Sequence, residues 1–85
     1  MDHYKLDILK KICYTELVYL RINKKLNIQL SKIKVRELIL KIIKETDESG
    51  FHKKGKNIYI VNNKRKVRLT INSSTNRIIT ADKLI

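Results

Sequence analysis

The stretch from Gly55 to Thr80 reads GKNIYIVNNKRKVRLTINSSTNRIIT and decides the fold expected for the chain. It contains three runs rich in β-branched and aromatic residues, the types that favour strands. Two polar breaks rich in asparagine, serine and lysine separate the runs, and such residues are typical of tight turns. The stretch therefore predicts a three-stranded antiparallel meander, with strands at about 57–62, 66–72 and 76–81.

Apolar and polar residues alternate along the middle run, and successive side chains of a strand point to opposite faces. If both hairpin loops hold an even number of residues, the apolar residues of all three strands share one dry face. Its expected members are Ile58, Ile60, Val67, Leu69, Ile71 and Ile78. The opposite, wet face is expected to carry Tyr59, Val61, Lys66, Arg68, Thr70, Arg77 and Ile79.

Two helices are predicted before the sheet. Asp2 is a suitable N-cap for the first, at about 3–26, and Ser31 for the second, at about 31–48. Asn27 is expected to end the first helix in a left-handed conformation, and Gly50 is the expected stop of the second, as a glycine cap with a hydrophobic contact from Phe51. The predicted fold class is α+β, with two N-terminal helices packed on one face of the meander in the order ααβββ.

The first predicted helix is apolar over most of its circumference. Its main stripe holds Leu6, Leu9, Cys13, Leu17 and Leu20. A second apolar arc holds Ile8, Ile12, Tyr19 and Leu26. Such a helix is either covered on two sides or breaks near Thr15 and changes phase. Because a chain of 85 residues can hardly supply two-sided cover, the first alternative predicts a homodimer through this helix.

The composition is strongly basic. The chain holds 20 lysine and arginine residues against 8 aspartate and glutamate residues, which gives a net charge of +12. Residues 51–85 carry nine of the cations and a single acid. This balance favours polyanionic partners, either nucleic acid or an acidic protein surface. Length and charge together predict one small basic domain over residues 1–85.

Several classes of protein are excluded. The single cysteine, Cys13, cannot form an intramolecular disulfide and fits a reducing cytosol. No apolar run approaches the roughly 20 residues that span a bilayer, so we expect a cytoplasmic protein with no membrane partner. Cys13, His3 and His52 lack the spacing of metal ligands, and the two glycines form no phosphate-binding motif. We therefore expect neither a metal nor a cofactor.

The chain resembles an uncharacterised family of short bacterial proteins, classed as a domain of unknown function. The similarity is carried by Gly55-Lys56-Asn57 with Tyr59, by Leu69-Thr70-Ile71-Asn72-Ser73 and by Arg77-Ile78-Ile79-Thr80-Ala81. A weaker similarity lies at Val18-Tyr19 and Arg21-Ile22-Asn23-Lys24. The family is common in low-GC Gram-positive bacteria and their mobile elements. The resemblance implies an intact small protein and no particular activity.

A second similarity is to the Hic-type toxins, which cleave messenger RNA and have a double-stranded-RNA-binding-like fold. The segment SGFHKKGKNIY, residues 49–59, resembles their junction between helix and first strand. In the toxins a Gly-Phe step is followed by Gly-Ser-His with the catalytic histidine. Here Gly50-Phe51 is followed by Gly55-Lys56-Asn57, and His52 lies earlier. The resemblance implies a ribonuclease in which His52 takes part, whereas a loop histidine without a catalytic role is the simpler interpretation.

The strongest functional signal is the cluster of cations around the predicted strands. Neutralising phosphates needs such a cluster, and an aromatic ring among the charges can stack a base. The expected contacts are Lys53, Lys54, Lys56, Tyr59, Lys64, Arg65, Lys66, Arg68 and Arg77. The leading hypothesis is a non-enzymatic protein that binds RNA or DNA by charge and shape.

Two other interpretations of the cluster stay open. The first is a phage- or mobile-element-encoded inhibitor, of the anti-CRISPR type, that binds an acidic surface of a nucleic-acid-guided defence nuclease. The second is that the lysines only keep the protein soluble and protect a sheet edge.

Overall fold

In the computed structural model, residues 4–84 are described. The helices are α1 Tyr4–Lys11, α2 Glu16–Leu26 and α3 Lys32–Glu45, followed by a short 3-10 turn Glu48–Gly50. The strands are β1 Phe51–Lys54, β2 Asn57–Asn62, β3 Val67–Asn72 and β4 Ile78–Lys83. They form one antiparallel meander in the order β1-β2-β3-β4. The α+β class is confirmed, whereas the predicted counts of two helices and three strands are wrong. The expected cap Asp2 and His3 lie outside the described residues.

The predicted dry face of the sheet is confirmed. The register pairs Ile60 with Leu69 and Ile58 with Ile71, and all four side chains are buried. Every helix contributes to the same core. The helix residues in it are Ile8, Val18, Tyr19, Ile22, Leu26, Val35, Ile39, Ile42 and Ile43. The core therefore lies between the helices and one face of the sheet.

The predicted helix at about 3–26 is two helices. α1 ends at Lys11 and α2 begins at Glu16, so the alternative with a break near Thr15 is correct. Within the break, Cys13 forms a parallel bridge with Arg77 at the free side of β4. The same apolar arc is buried on both sides of the break, at Ile8 in α1 and at Tyr19 and Leu26 in α2, so burial shows no change of phase.

The second apolar arc, rather than the main stripe, faces the core. Ile8, Tyr19 and Leu26 of the second arc are buried. The main stripe instead leaves Leu6, Leu17 and Leu20 exposed. Once the chain has turned at the break, only one arc of each short helix can meet the sheet, and the leucine stripe points outward.

Helix α3 begins as predicted and ends earlier. Ser31 caps it, since its Oγ accepts a hydrogen bond from the backbone N–H of Lys34 (3.3 Å). The helix ends at Glu45 rather than near residue 48. Its last carbonyls are capped from α1, because Lys5 Nζ donates to Lys44 O (2.8 Å) and Thr46 O (2.9 Å). A cation at a helix C-terminus also interacts favourably with the helix dipole.

Gly50 does not stop α3 in a left-handed conformation, so that prediction is wrong. Among the described residues, positive φ values occur at Asn27, Gly55, Lys66 and Asn76. Gly50 is instead required by space. A Cβ atom on it would lie 2.7 Å from the carbonyl oxygen of Val61 and 2.8 Å from Cγ2 of Thr46.

Tyr14 lies in the break between α1 and α2 and stacks on Tyr19, with 5.6 Å between ring centroids. The Arg36 guanidinium is 5.3 Å from the centre of the Tyr14 ring, and its Nε donates to the hydroxyl of Tyr19 (2.6 Å). The Tyr14 hydroxyl itself is buried with no hydrogen-bond partner among residues 4–84. Burial, with a smaller contribution from Tyr19, raises the pKa of Tyr14 to about 12.

We expect the substitution Tyr14→Phe to leave the free energy of unfolding at pH 7 unchanged or to raise it by up to about 1 kcal/mol, because it removes an unpaired buried hydroxyl. The pKa of Tyr14 is raised above its ordinary value of 10.0. Wild-type stability should therefore fall as the pH rises from 10 towards about 12, and the variant should lack this contribution. Denaturant unfolding at pH 7 and in this alkaline range measures both effects. A loss above about 2 kcal/mol at pH 7 would contradict the unpaired hydroxyl.

Candidate nucleic-acid interface

The sheet face opposite the core is the candidate interface. Strand register arranges its side chains in three rows that run across the strands. The central row is His52, Tyr59, Thr70 and Thr80; on one side of it lie Val61, Arg68 and Asp82, and on the other Lys54, Asn57 and Asn72. We call the surface formed by these ten residues the open face. His52, Lys54 and Arg68 are exposed on it.

Tyr59 lies near the middle of the open face and is half-buried. Arg68 reaches it diagonally from β3, and its guanidinium carbon is 5.6 Å from the centre of the ring. Thr70 is buried although it belongs to this face, since Tyr59 and Thr80 flank it in the register. A tyrosine ring and a neighbouring guanidinium plane are both surfaces on which a nucleic-acid base can stack.

The turns at the two ends of β2 add cations to the open face. Gly55 (φ 63) and Lys56 form a two-residue turn, and glycine at the first position allows the left-handed backbone of a type II′ hairpin. At the other end, Asn62 Oδ1 accepts from the backbone N–H of Arg65 (2.8 Å). Lys66 (φ 57) closes that turn. The exposed side chains of Lys56, Lys64 and Lys66 thus lie beyond the ends of the tyrosine-bearing strand.

The structure divides the nine residues expected to contact nucleic acid. Lys54, Tyr59 and Arg68 belong to the open face, and Lys56, Lys64 and Lys66 lie in its bordering turns. Lys66 was expected on the wet face as a strand residue, but its left-handed backbone places it before β3. The other three, which are Lys53, Arg65 and Arg77, lie elsewhere.

Lys53 and Arg77 lie at the two edges of the sheet. Lys53 pairs with Ile58, whose side chain points to the core, so alternation directs it to the helix side at the β1 edge. There it lines a small cavity with Asp7. Arg77 precedes β4, next to the bridge with Cys13, and lines a groove against α2. The backbone N–H of Asn72 donates to the carbonyl oxygen of Arg77 (2.9 Å), so Arg77 stands opposite Asn72 and keeps the expected wet side, at the rim beyond the ten residues of the open face.

Arg65 is bound by an acid of the helix layer. Its Nε and Nη2 donate to the two carboxylate oxygens of Glu45, at 2.6 and 3.0 Å. The hydrogen bond from Arg65 holds the pKa of Glu45 below its ordinary value, and Glu45 raises the pKa of Arg65. This bidentate geometry directs Arg65 towards α3 and away from the open face.

Asp82 belongs to the open face and was not among the residues expected there. Its Oδ2 is 4.0 Å from Arg68 Nη2, and its Oδ1 is 3.5 Å from Lys25 Nζ of α2. The register shifts between Thr70 and Ile71, leaving Ile79 unpaired as a bulge in β4. Alternation from the dry-face residue Ile78 would have put Thr80 and Asp82 on the dry face, so it is the bulge, and not the sequence pattern, that places Asp82 on the open face.

The family described as "Protein of unknown function (DUF3781)" matches residues 6–82. The chain belongs to this family. The DUF3781 match includes every residue of the open face and confirms the predicted membership of an uncharacterised family. No curated protein and no solved structure matches the chain.

His52 connects the open face of this DUF3781 chain with a neighbouring groove. The groove has a volume of about 450 Å³, and its lining includes Glu45, Asp47, His52 and Lys64. A histidine and carboxylates thus border the same groove, next to a lysine. Within residues 4–84, no three histidine, cysteine or acidic side chains are arranged to hold a metal ion. In the same part of the chain, no helix has the length and apolar character needed to cross a bilayer.

Proposed function

We propose that the open face binds single-stranded nucleic acid, RNA or DNA, without catalysis. The observation that carries the proposal is the position of Tyr59. Its half-exposed ring lies near the middle of a sheet face, between His52 and Thr70 in the register and beside the Arg68 guanidinium. Other sheet proteins that bind single strands use aromatic residues at such positions to stack two or three bases.

Charge and shape both favour a single strand over a duplex. In a duplex the bases are stacked on each other and their faces are closed to a tyrosine, whereas an unpaired base can lie flat on the ring. Lys54 and Arg68 are placed on either side of Tyr59 to neutralise phosphates. The lysines in the bordering turns extend this path along the strand. Binding of this kind depends strongly on salt and weakly on sequence.

The first prediction concerns salt. We expect about three to four phosphate contacts, so the logarithm of the association constant should fall with the logarithm of salt concentration with a slope of about −2 to −3. Fluorescence anisotropy with labelled poly(U) and poly(dT) oligonucleotides measures this slope, and a duplex of the same length should bind more weakly. Binding that does not change with salt, or that favours the duplex, would contradict the proposal.

The second prediction concerns Asp82. Replacing it with asparagine should tighten binding about fivefold, since removing one partly exposed charge some 4 Å from a bound cation is worth about 1 kcal/mol. The change removes a carboxylate from the open face and releases Arg68 for phosphate. Asp7→Asn is the matched control, because it changes the net charge by the same amount at an exposed residue of α1. Weaker binding by Asp82→Asn would mean that the carboxylate positions Arg68 for its ligand.

The same oligonucleotides test the ribonuclease alternative. After incubation with the protein, we expect intact strands on a denaturing gel. The groove that His52 shares with Asp47 and Lys64 is the place where catalysis would be sought. Cleavage of RNA that is abolished by His52→Ala would overturn the non-enzymatic part of the proposal.

A further inference from the structure

We propose that the groove between α2 and the start of β4 is a docking site for an acidic amphipathic helix of a partner protein. The groove has a volume of about 220 Å³ and is lined by Thr15, Leu17, Val18, Arg21, Arg77, Ile78 and Ile79. It lies at the opposite edge of the sheet from β1. This site is separate from the proposed nucleic-acid contacts around Tyr59.

The apolar part of the site is exposed without an evident role in folding. Leu17 and Leu20 are 72% and 69% accessible, and they are one helical turn apart on the same face of α2. Ile79, the bulged residue of β4, is half-buried across the groove from Leu17. An apolar side chain of a partner can enter between the two leucines of α2 and Ile79 of β4 and remove all three side chains from water.

The rim of the site is cationic. Arg21 and Arg77 both line the groove, and Lys24 lies with Leu20 and Arg21 at a neighbouring hollow on α2. Arg21 Nη1 donates to the carbonyl oxygen of Ile79 (3.2 Å), which positions the guanidinium while leaving its other N–H groups free for a ligand. The nearest acid on α2, Glu16, is paired with Lys32 of α3. An apolar centre with a charged rim is the usual arrangement of a protein-binding surface.

The charges decide between the possible occupants. A second copy of this chain would bring its own Arg21, Lys24 and Arg77 against the same three cations, and like charges across an interface are costly. Nucleic acid would satisfy the cations but leave the two leucines against phosphate and sugar. An acidic helix satisfies both parts of the site, with one apolar side chain in the groove and carboxylates on the two arginines.

The test is a selection from a displayed library of helical peptides with randomised surface positions, using the full chain as bait. We expect enrichment of peptides in which a leucine, isoleucine, methionine or phenylalanine is flanked by aspartate and glutamate. For one selected peptide, made synthetically, Leu17→Ser with Leu20→Ser should weaken binding at least tenfold. The matched control, Leu6→Ser with Ile33→Ser, removes two other exposed apolar residues, 59% and 69% accessible, and should bind as the wild type does.

Other results would overturn the proposal. These are enrichment of basic or uncharged peptides, absence of any enriched class, or binding that survives the Leu17/Leu20 variant. Dimerisation of the wild type in sedimentation equilibrium, lost in that variant, would assign the surface to a second copy. Binding to phosphatidylglycerol vesicles through the same leucines would assign it to a membrane. Because the variant leaves the open face unchanged, its affinity for poly(dT) should equal that of the wild type, whichever peptide result is obtained.

Discussion

Replacing Lys54 and Arg68 together with glutamine is expected to weaken the binding of single-stranded nucleic acid about a hundredfold at low salt. Each substitution removes a charged hydrogen-bond donor next to Tyr59, and the loss of one such contact to phosphate costs roughly tenfold. Two fewer contacts should also flatten the salt slope by about 1.4. Both side chains are exposed, so the fold should be retained. Anisotropy titrations over a series of salt concentrations measure the affinity and the slope together.

The control for this variant has the same net charge. Lys10→Gln with Lys41→Gln removes two exposed cations from α1 and α3, helices that pack on the core face of the sheet and not on the open face. If only total charge mattered, both double variants would lose affinity equally. We expect the control to lose no more than about threefold, as long-range attraction between exposed charges is largely screened. Equal losses in the two variants would remove the open face from its proposed role.

Gly50→Ala is the second substitution with a large expected effect. Because Cβ would approach the carbonyl oxygen of Val61 to 2.7 Å, the backbone of β2 must move. Thr46 on the other side is buried, and its Oγ1 is held by hydrogen bonds with Ile42 O (2.6 Å) and Asn62 Nδ2 (3.0 Å). Overpacking at such a site costs roughly 1–3 kcal/mol. We expect a loss of this size in the free energy of unfolding, measured by urea denaturation.

Gly55 is the matched comparison for Gly50. It has a positive φ of 63° and no atom within 4 Å of the place where a Cβ would lie. A substitution there meets backbone strain and no clash, and asparagine is among the side chains most often found at positive φ, so Gly55→Asn should cost about 1 kcal/mol. The two glycines thus separate a requirement for space from a requirement for backbone freedom. A neutral Gly50→Ala would mean that the 3-10 turn and β2 are further apart than the structure places them.

The faces of the sheet were predictable from sequence because alternation in β2 and β3 has a simple physical cause. The expected dry-face residues are buried because an even four-residue turn, 63–66, joins these strands and keeps the register in phase. Ile78 also reaches the core, but the bulge at Ile79 then shifts β4, so that Ala81 rather than Thr80 follows it inward. A bulge of this kind leaves little trace in the residue types.

The hydrophobic patterns of the sequence did not predict two features of the fold, strand β1 and the break after α1. Strand β1 contains one apolar residue, Phe51, followed by His52 and two lysines, so it shows no alternation of hydrophobicity. The Gly-Lys pair before Asn57 was the available signal, since glycine at the first position of a two-residue loop favours a hairpin. The apolar pattern left a break after α1 open as an alternative. It did not predict that the leucine stripe is exposed, because two apolar arcs of similar strength give no preference for either.

The sequence predicted which residue types the candidate site contains, but not how they are arranged on the surface. Counting charges identified the region, but position along the chain does not say which cations share a surface. Arg65 is held away from the open face by its hydrogen bonds to Glu45, which lies twenty residues earlier in the chain. Arg77 is bridged to Cys13 in the break between α1 and α2, which is more distant still. Such long-range contacts depend on the packing of helices against the sheet, which one sequence does not reveal.

The most direct test is an amide chemical-shift titration of the isotope-labelled protein with a poly(dT) oligonucleotide. If the open face binds single strands, the largest shifts should follow the central row and its neighbours, at His52, Lys54, Tyr59, Arg68 and Thr70, with smaller changes in the bordering turns. The chemical shifts of the amides in α1 and α3 should not change. Shifts concentrated on the helices, or no saturable shifts at low salt, would contradict the proposal that this face is the nucleic-acid interface.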